Sequence, residues 1–167
     1  MTMSRVYSAA SFLAATALVI LASCGGGDSP TGNGPTGSIA GTITFRNQWP
    51  TTGAIFVTVF SQYPPTGAPD AFTNPITESM LGPGRTFNYK VTGVETGTYK
   101  AVMVGWRGGV GNDVCTGLYW EFPDSVGLAP GFCVAQDPGP LPVTVKKNQT
   151  TSGINMVADL SKVPAAP

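Results

Sequence analysis

Gly37-Ser38-Ile39-Ala40-Gly41-Thr42-Ile43-Thr44-Phe45 decides the fold. In an extended chain Ile39, Gly41, Ile43 and Phe45 share one face while Ala40, Thr42 and Thr44 take the other. That period of two suits a half-buried strand and cannot give a helix a continuous apolar stripe. Downstream, Ala54 to Ser61 is apolar on both faces, which predicts a central strand bounded by Thr52-Gly53 and Pro64-Pro65. Pro75 to Leu81 reads as a weaker edge strand. Arg85 to Val91 alternates through Phe87, Tyr89 and Val91, and Thr98 to Trp106 through Tyr99, Ala101 and Met103. Gly82-Pro83-Gly84 and Glu95-Thr96-Gly97 supply turns. Two further strands, Leu141 to Lys146 and Gly153 to Leu160, flank Lys147-Asn148-Gln149-Thr150. Beyond the N-terminal segment no window of eleven residues has helical spacing. The expectation is all-β: a single sandwich of about seven strands whose sheets cover each other's apolar faces.

Composition narrows the chemistry. The chain has 167 residues, nine Lys and Arg against nine Asp and Glu, and no histidine. A balanced charge offers nothing electrostatic to nucleic acid. Without histidine, Ser-His-Asp and Cys-His catalysis and His-ligated zinc are excluded. Charged residues make up only 11%, against roughly 25% in an average soluble domain. Gly25 to Gly37 has no apolar side chain larger than proline, so it is expected to be a flexible tether reaching roughly 20 Å as a coil.

The N-terminus is read first on its physics. Arg5 is the cation of a short n-region, Phe12 to Ala22 is an uncharged apolar run, and Ala22 and Ser23 are small residues of the kind a signal peptidase accepts. The alternative is an uncleaved anchor; Val6 to Ala22 is at the short edge of what crosses a bilayer. Leu21-Ala22-Ser23-Cys24, followed by three glycines, resembles the lipobox of bacterial lipoproteins. That resemblance implies a diacylglycerol on the Cys24 thiol, cleavage before Cys24 and acylation of the freed amine. At about 0.8 kcal/mol per buried CH₂, two or three acyl chains hold a domain at a membrane. Gly25, where the family's inner-membrane retention pattern would have Asp, favours the outer membrane. The implied organisation is a signal peptide over 1–23, a lipidated tether over 24–37, a sandwich over 38–162 and a tail over 163–167.

A second resemblance covers most of the mature chain. The opening G-x-I-x-G-x-I of Gly37 to Ile43, the G-x-Y of Gly97 to Tyr99 and the closing V-x-V…N-Q-T-T-S-G-I-N of Val143 to Asn155 resemble the carboxypeptidase regulatory-domain-like, or prealbumin-like, Greek-key sandwich of bacterial surface proteins. Tyr99 is expected to plug the end of the sandwich with its ring while its hydroxyl stays wet. The chain departs from the family between Gly105 and Pro142, where a long loop is expected in place of a short one.

That loop holds the remaining cysteines. The lipobox implies an oxidising compartment, in which Cys115 and Cys133 are expected to pair and close a loop worth roughly 3 kcal/mol; the alternative is two separately buried thiols. Glu121 and Asp124 as a glycosidase pair are set aside in favour of a solvated loop. Asp113, Glu121, Asp124 and Asp137 have the oxygens for calcium but lack the D-x-D-x-D-G spacing. Trp106, Tyr119 and Trp120 either form a ligand platform or pack the loop onto the sandwich. The functional expectation is a non-enzymatic module without cofactor, held to the membrane through Cys24, with an envelope protein or glycan as partner. The alternative is a carbohydrate- or small-ligand-binding lipoprotein that uses residues 105–142.

Overall fold

The structure is a computed structural model and describes residues 34–108, 113–119, 127–129, 132–134 and 139–163. The segment expected to be a signal peptide and Cys24 lie outside the described residues, as do Trp120, Glu121, Asp124 and Asp137. The folded unit spans Gly32–Pro167. No helix among the described residues is long and apolar enough to cross a membrane.

The chain is all-β. The opening alternation becomes β1 (Thr36–Arg46), two residues ahead of the expected domain start, with Ile39, Ile43 and Phe45 buried and Arg46 exposed. β2 is Ala54–Phe60, β3 is Ala71–Phe72, β4 is Thr86–Glu95, β5 is Gly97–Tyr99 and β6 is Ala101–Arg107. β7 (Asp113–Leu118), β8 (Gly127–Ala129), β9 (Phe132–Val134), β10 (Val143–Val145), β11 (Thr150–Thr151) and β12 (Met156–Asp159) complete the order.

Two four-stranded sheets carry the core. In the first, β4 pairs antiparallel with β1, and β11 and then β12 pair parallel with its other side. The second is antiparallel throughout, in the order β3-β2-β6-β7. Buried side chains of both sheets form one cluster, including Ile39 and Ile43 of β1, Val91 of β4, Val57 of β2, and Val102, Val104 and Trp106 of β6. Two smaller ladders, β10-β5 and β8-β9, accompany them.

Where β1 changes partner, the sequence Gly153-Ile154-Asn155 crosses it. The Ile154 amide donates to the Ala40 carbonyl at 3.2 Å, and Asn155 Oδ1 accepts from the Thr42 amide at 2.9 Å. The side chain thus supplies the bond that neither β11 nor β12 reaches. Gly41 permits this crossing, because a Cβ there would collide with the Ile154 carbonyl group. From the facing position on β4, Tyr89 reaches over Gly41 and donates its hydroxyl to the Ile154 carbonyl at 2.7 Å.

Four expectations need correction. Twelve short strands are described where about seven were expected. Pro75 to Leu81 is not a strand: Ile76 forms a single bridge with Ile55, and Glu78–Met80 is a 3-10 turn. Thr98 to Trp106 is not one strand, since the chain bends at Lys100 between β5 and β6. The bend reverses the phase, so Val102, Val104 and Trp106 face the main core, whereas Ala101 and Met103 lie in a second cluster on the opposite face. Residues 105–142 are not one long loop, because β7 adds a strand to β6. The Tyr99 ring is buried as expected, and its hydroxyl donates to the Glu95 carbonyl at 2.9 Å in a partly buried bond.

Candidate functional site

The outer face of the β3-β2-β6-β7 sheet carries a pocket. β2 faces the core with Ile55, Val57 and Val59, which leaves Phe56, Thr58 and Phe60 on the outside. β6 contributes Met103 and Gly105 to the same side. The connection 61–70 forms a wall through Pro65, Gly67, Ala68 and Pro69, and Phe72 of β3 stands at the rim, 63% exposed. The pocket is open to solvent on one side and has a volume of about 560 Å³.

The wall is fastened to the sheet at its end. Asp70 accepts from the Ser61 amide through Oδ2 at 2.5 Å, while its own amide donates to the Val59 carbonyl at 2.9 Å. One residue therefore closes the turn with a side-chain bond and a main-chain bond. The rings of Phe56 and Phe72 meet edge to face, with centroids 6.5 Å apart and planes at 85°. Thr58 donates its hydroxyl to the Met103 carbonyl at 3.4 Å, so the polar side chain of β2's outer face is already partnered within the sheet. The lining is mainly apolar, with Thr58 and Arg107 among its polar side chains.

Of the residues singled out in the sequence, Trp106 and Cys115 line this pocket, whereas Tyr119 is not among its lining residues. Trp106 is 4% exposed, and its Nε1 donates to the Thr52 carbonyl at 2.8 Å. Its indole lies against Gly53 and Gly108, where any Cβ would strike the ring. Tyr119 is half-buried against the core; its amide donates to the Val102 carbonyl at 2.9 Å. Trp106 pairs with Val114 at the other end of the β6-β7 ladder, so the two rings do not meet as one platform. Burial raises the Tyr89 phenol pKa, with the nearby Tyr119 adding to the effect.

Cys115 is buried on the outer side of β7, packed with Ala101, Met103 and Leu118, and is disulfide-bonded. Cys133 lies in β9, and its side chain is outside the described residues. Asp113 is placed by its backbone opposite Arg107, with its side chain likewise outside the described residues. Among the described residues no group of three or more His, Cys, Asp or Glu is arranged to hold a metal ion.

Sequence reasoning missed Phe56, Phe60, Phe72 and Met103 as site residues; Gly105 opens the 105–142 segment it did propose. The available signal was β2 itself: a strand apolar on both faces needs a cover on each, and only one is supplied by the opposing sheet. Compared with known proteins, the chain matches no family model, no curated sequence and no solved structure.

Proposed function

We propose that this chain is a lipid-anchored extracytoplasmic β-sandwich serving as a non-catalytic interaction or structural module of the bacterial envelope. The observation that carries this reading is Cys24 at the end of the apolar run Phe12 to Ala22, with a Gly- and Pro-rich tether between it and β1. Cleavage before Cys24 and acylation of its thiol and amine give a membrane-held domain with about a dozen tether residues of free reach. Gly25 directs it to the outer membrane. The absence of histidine from the sequence argues against acyl-transfer machinery and supports a binding role.

Two finer assignments belong to the same reading. The sandwich is of the Ig-like or prealbumin-like Greek-key kind, as the motifs Gly37 to Ile43 and Val143 to Asn155 suggest. The disulfide of Cys115 is made with Cys133; β9 lies against β7, and Cys24 is committed to lipid. The partner is an envelope protein or glycan.

Metabolic labelling with an alkyne fatty acid tests the anchor. The parent incorporates label and fractionates with outer membrane, whereas Cys24→Ala takes up none and accumulates as precursor. Equal labelling of both proteins contradicts the reading.

A further inference from the structure

Gly105 sits in the middle of β6, paired with Phe56 on one side and Cys115 on the other. Glycine weakens a strand interior, and it often marks a place where another group must come close. At Gly41 that group is the chain's own backbone. At Gly105 it is not: a Cβ built there meets only the Val114 carbonyl oxygen, at an ordinary contact distance of 3.9 Å. No left-handed φ calls for glycine here either. The missing side chain instead deepens the pocket floor between Phe56 and Met103.

We propose that this pocket, floored by Gly105 and walled by Phe56, Phe60, Phe72 and Met103, is a binding site for an uncharged small aromatic molecule. Its volume of about 560 Å³ falls within the roughly 300–1,000 Å³ of small-molecule sites. The aromatic and thioether side chains of Phe56, Phe60, Phe72 and Met103 reward burial of an apolar occupant, and the Thr58 hydroxyl is donated to the Met103 carbonyl. It is aromatic because the edge-to-face pair of Phe56 and Phe72 offers a third ring a face and an edge, and because a methionine thioether is favoured at a ring edge. A saturated hydrocarbon of equal size gains burial alone. Phe72, left in water at 63% exposure, is covered when the site fills. This inference is independent of the anchoring proposal; the site draws on β2, β3 and β6 and includes Gly105, Trp106, Arg107, Val114 and Cys115 of the 105–142 segment that the sequence favours.

The test uses benzophenone, an uncharged two-ring ketone, on the full-length membrane-bound protein. On illumination its carbonyl oxygen abstracts hydrogen from a nearby C–H, and the two carbon radicals join, leaving a tertiary alcohol bonded to the side chain. Peptide mapping should show saturable label on Met103 and on the 54–60 strand, above the linear background at Met80, which is 52% exposed. Naphthalene should compete at a severalfold lower concentration than decalin, its saturated counterpart. Gly105→Val should cut Met103 labelling about tenfold, the effect of removing roughly 1.4 kcal/mol of binding, without lowering the melting temperature. Phe72→Ser, at an exposed position, should cut it severalfold and serves if the first variant folds poorly. Labelling of Met103 no greater than that of Met80, labelling unchanged in a folded variant, or equal competition by decalin overturns the proposal.

Discussion

Replacing Tyr89 by phenylalanine removes one oxygen atom from the centre of the sandwich and leaves the ring in place. Tyr89 is 3% exposed, and its hydroxyl is bonded at 2.7 Å to the carbonyl of Ile154, the residue that crosses β1 at Gly41. Losing a net hydrogen bond costs about 0.5–1.5 kcal/mol, and an orphaned buried acceptor raises the total toward about 3 kcal/mol. At roughly 2–6 °C per kcal/mol for a domain of this size, the melting temperature should fall by several degrees. The variant should also differ in its response to alkali. Burial, and secondarily Tyr119, raises the Tyr89 pKa in the fold, so the unfolded chain ionises first. The stability held by the neutral phenol is complete below about pH 10 and is lost as pH rises from there toward the folded value, at about 1.4 kcal/mol per pH unit. Tyr99, also raised, chiefly by burial and then by Asp70 and Glu95, contributes in both proteins and cancels in the comparison. Urea melts of parent and variant at pH 7, 10 and 11 should therefore show a gap that narrows above pH 10. A variant as stable as the parent at pH 7, with the same alkaline slope, refutes the reasoning.

Gly41→Ala should destabilise by about 3 kcal/mol or more, since the new methyl meets the Ile154 carbonyl and not a yielding side chain, whereas Gly105→Ala should be close to neutral; paired thermal melts decide it. Trp106→Ala should cost about 3–5 kcal/mol and Trp106→Phe about 1–3 kcal/mol through the unbonded Thr52 carbonyl, both read by chemical denaturation. Reducing the disulfide at Cys115 should lower stability by about 3 kcal/mol, and alkylation should find Cys115 and Cys133 reactive only after reduction.

The strands that alternate without interruption were readable. β1, β2 and the first half of β4 each present a simple repeat, and Tyr89 and Val91 face inward as expected. The errors follow from single-residue events that break the period. Gly93, with φ of 69°, is the extra residue that carries β4 past Thr92 and returns Val94 to the core. Lys100 reverses the inward phase between Tyr99 and Val102. β7 was hidden because the ladder skips Thr116 between Cys115 and Gly117, so its burial does not alternate. The pocket was less legible still. It depends on a turn held by Asp70 that folds Pro65 and Pro69 back over β2, and nothing in the local sequence announces where that turn lands. The contacts of Gly105 are likewise invisible before the chain is folded.

Intact-mass analysis of the mature protein extracted from membranes tests the central claim most directly. The mature chain should begin at Cys24 and carry the mass of a diacylglyceryl thioether together with an amide-linked acyl group. A mature chain beginning at any other residue, or an unmodified Cys24, contradicts it.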